Sequence, residues 1–162
     1  MSDIKHMHKT SIVKGDIRID IDLSKYANRI KDAQFWLDSQ IMTDMVPLMP
    51  HVTGNFIQRT REISASWAGT GRVCAAAPPF GRYLYFGKVM VDEKGNGPKK
   101  IEVSPGEFVF RYQKGARLVA SQRPLKYSNP YTVPEWFEVA KEQKLKNWIS
   151  GVDAILKNGK MP

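Results

Sequence analysis

The sequence predicts an α+β fold: a small, mainly antiparallel sheet with a long N-terminal amphipathic helix and a C-terminal helix packed on it. Three observations predict it. Residues 16–23 alternate strictly between polar and apolar side chains, the period of a half-buried strand. Residues 25–45 carry Tyr26, Ile30, Ala33, Leu37, Ile41 and Met45 at steps of three or four, the period of a helix with one buried stripe. Near the C-terminus Phe137, Ala140, Leu145, Trp148, Ile149, Val152, Ile155 and Leu156 repeat that helical period. At 162 residues the chain suits one domain and can bury a core without metals or disulfides.

Taken in order, residues 1–14 are polar and without period, and read as a mobile arm. His6 and His8 lie in it without surrounding carboxylates, so no metal site is expected there. A single α+β domain is expected over 15–157, with 158–162 as a tail. In the first strand Ile17, Ile19, Ile21 and Leu23 face one way and Asp16, Arg18, Asp20 and Asp22 the other. Alternate positions on a strand are about 7 Å apart, too wide for these aspartates to hold one ion unaided. Ser24 suits the N-cap of the first helix. Phe35 and Trp36 broaden its apolar surface, and Pro47 and Pro50 stop it.

A Pro-x-x-Thr-Gly corner follows, with Gly54 supplying a backbone conformation that a side chain would oppose. Ile63, Ala65 and Trp67 alternate, Gly69-Thr70-Gly71 marks a turn and residues 73–76 are apolar, so a β-hairpin is expected across 60–77. Residues 80–91 fit either a bulged strand or a short helical turn followed by a strand. Residues 92–98 form a loop tip, and 92–133 as a whole an extended insertion with short strand patterns. Thr132-x-x-Glu135 has the form of a capping box for the last helix, with Pro134 in its first turn and Asn158-Gly159 at its end.

Composition bounds the function. The single cysteine, Cys74, allows no intrachain disulfide and fits a reducing compartment as a small apolar residue. No stretch approaches the ~18 apolar residues of a membrane span, and the N-terminus has no apolar signal core. The net charge is +9, and residues 1–50 contribute none of it. Between Glu107 and Glu135 there is no acidic residue, whereas Arg111, Lys114, Arg117, Arg123 and Lys126 fall in that gap. Such a stretch suits a polyanion or an acidic protein neighbour.

Catalytic and cofactor signatures are missing. The only histidine outside the arm is His51, read as a corner residue bonding backbone groups. No nucleophile elbow, His-Glu-x-x-His or phosphate loop occurs. The chain is therefore read as a non-enzyme with no catalytic, cofactor or metal residues.

Three motifs in order carry a resemblance: Pro50-His51-Val52-Thr53-Gly54, then Pro79-Phe80-Gly81-Arg82-Tyr83-Leu84-Tyr85-Phe86-Gly87, then Trp136-Phe137-Glu138-Val139-Ala140 with Trp148. Over about residues 15–157 the chain resembles the minor capsid or tail-completion proteins of long-tailed phages, especially those of Gram-positive hosts. It departs from that pattern at Phe80-Gly81, where Tyr-Ala is expected, and in the longer stretch between Gly87 and Trp136. The resemblance implies a small curved sheet with a long helix packed on it. It implies a virion protein of the head–tail junction, assembled in the bacterial cytoplasm, that forms a homo-oligomeric ring in the neck. Its partners would be other neck connectors and tail terminator or tail-tube proteins, with non-specific contact to passing genomic DNA and no membrane. No catalytic or cofactor residues come with the family.

A ring needs two different faces of each subunit to meet. Phe35 and Trp36, and Tyr83, Tyr85 and Phe86, are candidates for those faces, with plain core packing as the competing reading. Arg111, Lys114, Arg117, Arg123 and Lys126 are candidates to face DNA or a partner. The alternative function is a basic nucleic-acid-binding module, with Tyr112, Tyr127 and Tyr131 available for stacking.

Overall fold

The computed structural model describes residues 10–51 and 54–159. His6, His8, Val52, Thr53 and residues 160–162 lie outside the described residues.

Thr10–Lys14 (β1) and Ile17–Ile21 (β2) form an antiparallel ribbon that turns at Gly15, whose φ is +61°. The expected arm is thus a strand over its last five residues. Ile12 stands opposite Ile19 and Lys14 opposite Ile17. Ile12, Ile17 and Ile19 therefore share one face, and they are 52%, 65% and 51% exposed. The alternation was a true strand signal, but the half-burial inferred from it does not hold, since these isoleucines are exposed.

Ser24–Met45 (α1) begins with Leu23, not Ser24, in the cap position. The Ser24 amide donates to the Asp22 carboxylate at 3.0 Å. After α1 a short 3-10 turn, Val46–Leu48, carries Pro47. Gly54, with φ +80°, then opens Asn55–Trp67 (α2). This helix replaces the hairpin expected across 60–77. Its buried face is Ile57, Thr60 and Ser64, mostly small polar residues that an apolar-period reading cannot see. Both hydroxyls are satisfied. Thr60 Oγ1 donates to Phe56 O (2.8 Å) and accepts from the Ala77 amide (3.2 Å). Ser64 Oγ donates to Cys74 O (3.2 Å) and accepts from the Cys74 amide (3.0 Å). The apparent alternation was coincidence: Ala65 and Trp67 are exposed.

Gly81–Phe86 (α3) and Lys88–Asp92 (β3) realise the helical-turn-then-strand alternative, with Gly87 left-handed between them. Gly81 is required by its surroundings. A β-carbon there would stand 2.6 Å from the Ala76 carbonyl carbon, so alanine would collide with backbone. Lys99–Ser104 (β4) pairs with Glu107–Arg111 (β5), and Leu118–Pro124 (β6) returns to pair with β3.

The last helix is Trp136–Asn158 (α4), closed by left-handed Gly159. The capping box does not form. Thr132 is buried and donates to Met49 O at 3.1 Å, tying the chain ahead of α4 to the end of the 3-10 turn. Glu135 sits left-handed at the cap, and Pro134 lies outside the helix.

The fold is mixed α and β, with every strand pair antiparallel. However, among the described residues the strands form three separate two-stranded ribbons instead of one curved sheet, and α1 and α4 pack on each other. The core is Met42, Met45 and Met49 with Ile57, Trp136, Ala140 and Trp148. Unbranched methionines fill the irregular space around two indoles. Each indole N–H finds an acceptor: Trp136 Nε1 donates to Ala75 O (2.8 Å) and Trp148 Nε1 to Asp44 Oδ2 (2.7 Å). Buried Asp38 accepts from Gln34 Nε2 (2.7 Å) and from the amides of Gly69 (2.8 Å) and Gly71 (3.0 Å), which fixes the turn after α2.

Candidate functional site

The two aromatic pairs divide. Phe35 and Phe86 are 51% and 48% exposed, so both are available to a neighbour. Trp36 is half-buried against Gly151 of α4. Tyr85 meets Trp136 edge-on with ring centroids 5.0 Å apart, and burial pushes its phenol above the usual tyrosine range, with Glu138 and Glu135 adding to the shift. Tyr83 donates to Leu118 O at 2.9 Å and fastens α3 to β6. Trp36, Tyr83 and Tyr85 thus hold the fold, and of these five candidates only Phe35 and Phe86 are exposed.

All five candidate basic residues are exposed. Lys114 and Arg117 share a depression of about 430 Å³ with Lys94, Lys99, Asp92 and Glu93. Arg117 approaches Glu93 at 3.6 Å, an exposed pair of little energetic weight. Arg111 stands opposite Lys99 on β4–β5, while Arg123 is the last residue but one of β6 and Lys126 follows that strand. Asp92 shapes this tip. Its carboxylate accepts from the amides of Asn96 (2.7 Å) and Lys94 (2.9 Å), which hold it below its usual range. The tyrosines proposed for base stacking are partly committed elsewhere: Tyr112 donates to Met90 O (2.8 Å) and Tyr127 to Leu84 O. Burial raises both phenols, and Tyr131 alone is 75% exposed.

One surface was missed in the sequence because its residues read as core. Leu37, Ile41, Leu145, Ile149, Val152 and Leu156 line an apolar groove of about 350 Å³ between α1 and α4. Leu145, Ile149 and Leu156 are 43%, 60% and 36% exposed. The helices approach closely where Trp36 lies over Gly151, and Asp153 and buried Trp148 complete the groove lining. The clue lay in α4 itself: its apolar residues are too many for one stripe once Trp136, Ala140, Trp148 and Ile155 are buried.

Cys74 is buried and its thiol is pushed up by desolvation, which makes it inert. His51 is exposed. Among the described residues no group of three His, Cys, Asp or Glu side chains could hold a metal ion, and no helix is long and apolar enough to cross a membrane.

Compared with known protein families, curated proteins and solved structures, the chain matches none of them.

Proposed function

We propose that this protein is a structural subunit of a phage neck, a ring-forming tail-completion protein that joins the DNA-filled head to the tail. The motif order of residues 50–54, 79–87 and 136–148 motivates this reading. One structural observation supports it most. Among the described residues each of the three ribbons has two strands, and all six residues of β4 are exposed, with Ile101 44% and Val103 48% accessible. A two-stranded ribbon is marginal in water until a third strand or a helix covers it. Its free edges are templates for pairing with another chain. A protein that carries such ribbons on a helical core is built to be completed by neighbours.

The mechanism is assembly by shape: exposed ribbon edges and the apolar residues Phe35 and Phe86 meet adjacent copies and other neck proteins. The test is to inactivate the gene in its source virus and image the lysate. Full heads beside free, unjoined tails are expected. Joined particles would refute the reading.

A second reading, a basic nucleic-acid-binding module, has one observation in its favour: Lys94, Lys99, Lys114 and Arg117 surround a single depression. Salt-dependent binding of the isolated protein to duplex DNA would favour it.

A further inference from the structure

Strand β5 reads Glu107-Phe108-Val109-Phe110-Arg111, a sequence that complements its own antiparallel copy. With Val109 opposite Val109, each Glu107 stands opposite the second copy's Arg111 and each Phe108 opposite the second copy's Phe110. We propose that two copies of this chain pair edge to edge through β5 in that register. They then share one four-stranded antiparallel sheet, in the order β4, β5, β5, β4, about a two-fold axis at Val109. The proposal gives one exposed ribbon edge of the neck subunit its partner and register, and rests on that reading only for its setting. An isologous contact closes at two copies, so it adds to the heterologous contacts that a ring needs.

The β5 edge is open. Among the described residues β5 pairs with β4 alone, and no backbone bond of the turns and loops ends on residues 107–111. The β4 edge is blunted instead. Lys99, Lys100 and Glu102 are charged and exposed, and the register shift between Glu102 and Ser104 puts an extra residue, Val103, in that strand. Between its two end residues β5 carries no charge, proline or glycine.

The charges are available too. The side chains of Glu107 and Arg111 make no hydrogen bond or ion pair among the described residues. Within its own ribbon Arg111 stands opposite Lys99, and like charges directly opposite weaken a ribbon. A glutamate on the other side of Arg111 offsets that repulsion. Ile101 stands opposite Val109, so the pairing extends this apolar row across four strands as Ile101, Val109, Val109 and Ile101. A four-stranded sheet also removes the marginal stability of an isolated two-stranded ribbon.

Two other strands have the same symmetric pattern, and each is already committed. In β2, Ile17-Arg18-Ile19-Asp20-Ile21, Arg18 pairs with Asp20 of its own strand at 3.2 Å. In β3, Lys88-Val89-Met90-Val91-Asp92, the Asp92 carboxylate holds the Lys94 and Asn96 amides, and Met90 O accepts from Tyr112. Of the three, β5 alone combines the pattern with uncommitted charges.

The test exchanges the charges in the full chain, and the two-fold axis makes each substitution act at both ends of the contact. Glu107→Arg sets arginine opposite arginine twice, and Arg111→Glu sets glutamate opposite glutamate twice. In sedimentation each single variant is expected to self-associate about tenfold or more weakly than wild type. An equimolar mixture of the two single variants regains both opposite-charge pairs and is expected to associate about as tightly as wild type. The double variant Glu107→Arg/Arg111→Glu should do the same. Both positions are exposed, so circular dichroism should be unchanged throughout. A wild-type chain that stays monomeric, as it would if another protein's strand fills this edge, would overturn the proposal. So would single variants that associate like wild type, or a mixture and a double variant no tighter than the single variants. Dimers that obey this charge rule in a protein not needed for head–tail joining would retain the contact and remove the neck assignment.

Discussion

The indole of Trp36 occupies the space over Gly151: a β-carbon built on Gly151 would stand 1.9 Å from Trp36 Cη2 and 2.5 Å from Cζ3. Position 151 therefore sets how closely α1 and α4 approach. On propensity alone, Gly151→Ala in a helix interior would stabilise by about 0.5–1 kcal/mol. Overpacking typically costs about 1–3 kcal/mol and should win here. Net destabilisation of about 1–2 kcal/mol is expected in chemical denaturation. Adding Trp36→Ala should make the alanine at 151 far less costly, a coupling that a double-mutant cycle would read. Additive effects would show that the contact does not govern the packing.

Asp38 should be the most sensitive polar residue in the core. Asp38→Ala leaves the Gly69 and Gly71 amides without their acceptor. The expected loss is about 3 kcal/mol, since bonds to charged groups contribute about 1.5–3 kcal/mol each and unmet donors add cost. Amide exchange at 69 and 71 should accelerate more than the global loss explains. Exchange that tracks global stability alone would contradict a local role.

The separable part of the insertion is narrower than residues 92–133. The Leu125 amide donates to Gly87 O at 2.7 Å, and Tyr127 bonds Leu84 O, so the return segment is stitched to α3. Replacing residues 99–111 by a short turn should leave helical circular dichroism and cooperative unfolding intact. The same deletion should abolish head–tail joining. Infectious particles from it would remove β4–β5 from the interface.

Asp92 gives a pH prediction with a definite sign. Its folded carboxyl titrates below the ordinary value, so the order it lends to the 92–97 tip is present above the unfolded value. That order is lost as pH falls below about 4 and through the folded value. In an NMR titration the Asn96 and Lys94 amides should shift with the Asp92 carboxyl, and Asp92→Asn should show the loosened tip at neutral pH. Amides that do not follow the carboxyl would contradict the assignment.

What the sequence made legible follows from where its patterns had a physical cause. The α1 helix, the left-handed Gly54, the Gly159 stop and the β2 alternation were readable, although Tyr26 of the expected α1 stripe is exposed and Gly54 leads into a helix instead of a hairpin. Each rests on local chemistry: spacing, proline or glycine. α2 was not readable as a helix, because its buried face is carried largely by Thr60 and Ser64, whose hydroxyls are satisfied by backbone groups. Burial was the weakest inference. Ile17, Ile19, Leu145 and Ile149 look like core by period, yet they are exposed in the single chain. Periodicity reports that a face is apolar, not that the chain buries it. The same limit applies to the aromatic candidates, where Phe35 and Trp36 are neighbours in sequence but only Phe35 faces solvent freely.

The most direct measurement of the central claim is electron microscopy of particles assembled without this protein, with the wild-type gene supplied in trans as the control. The account predicts DNA-filled heads and complete tails lying separate, and joined virions on complementation, with the protein located at the junction. Joined, infectious particles in its absence, or location of the protein anywhere other than the junction, would contradict it.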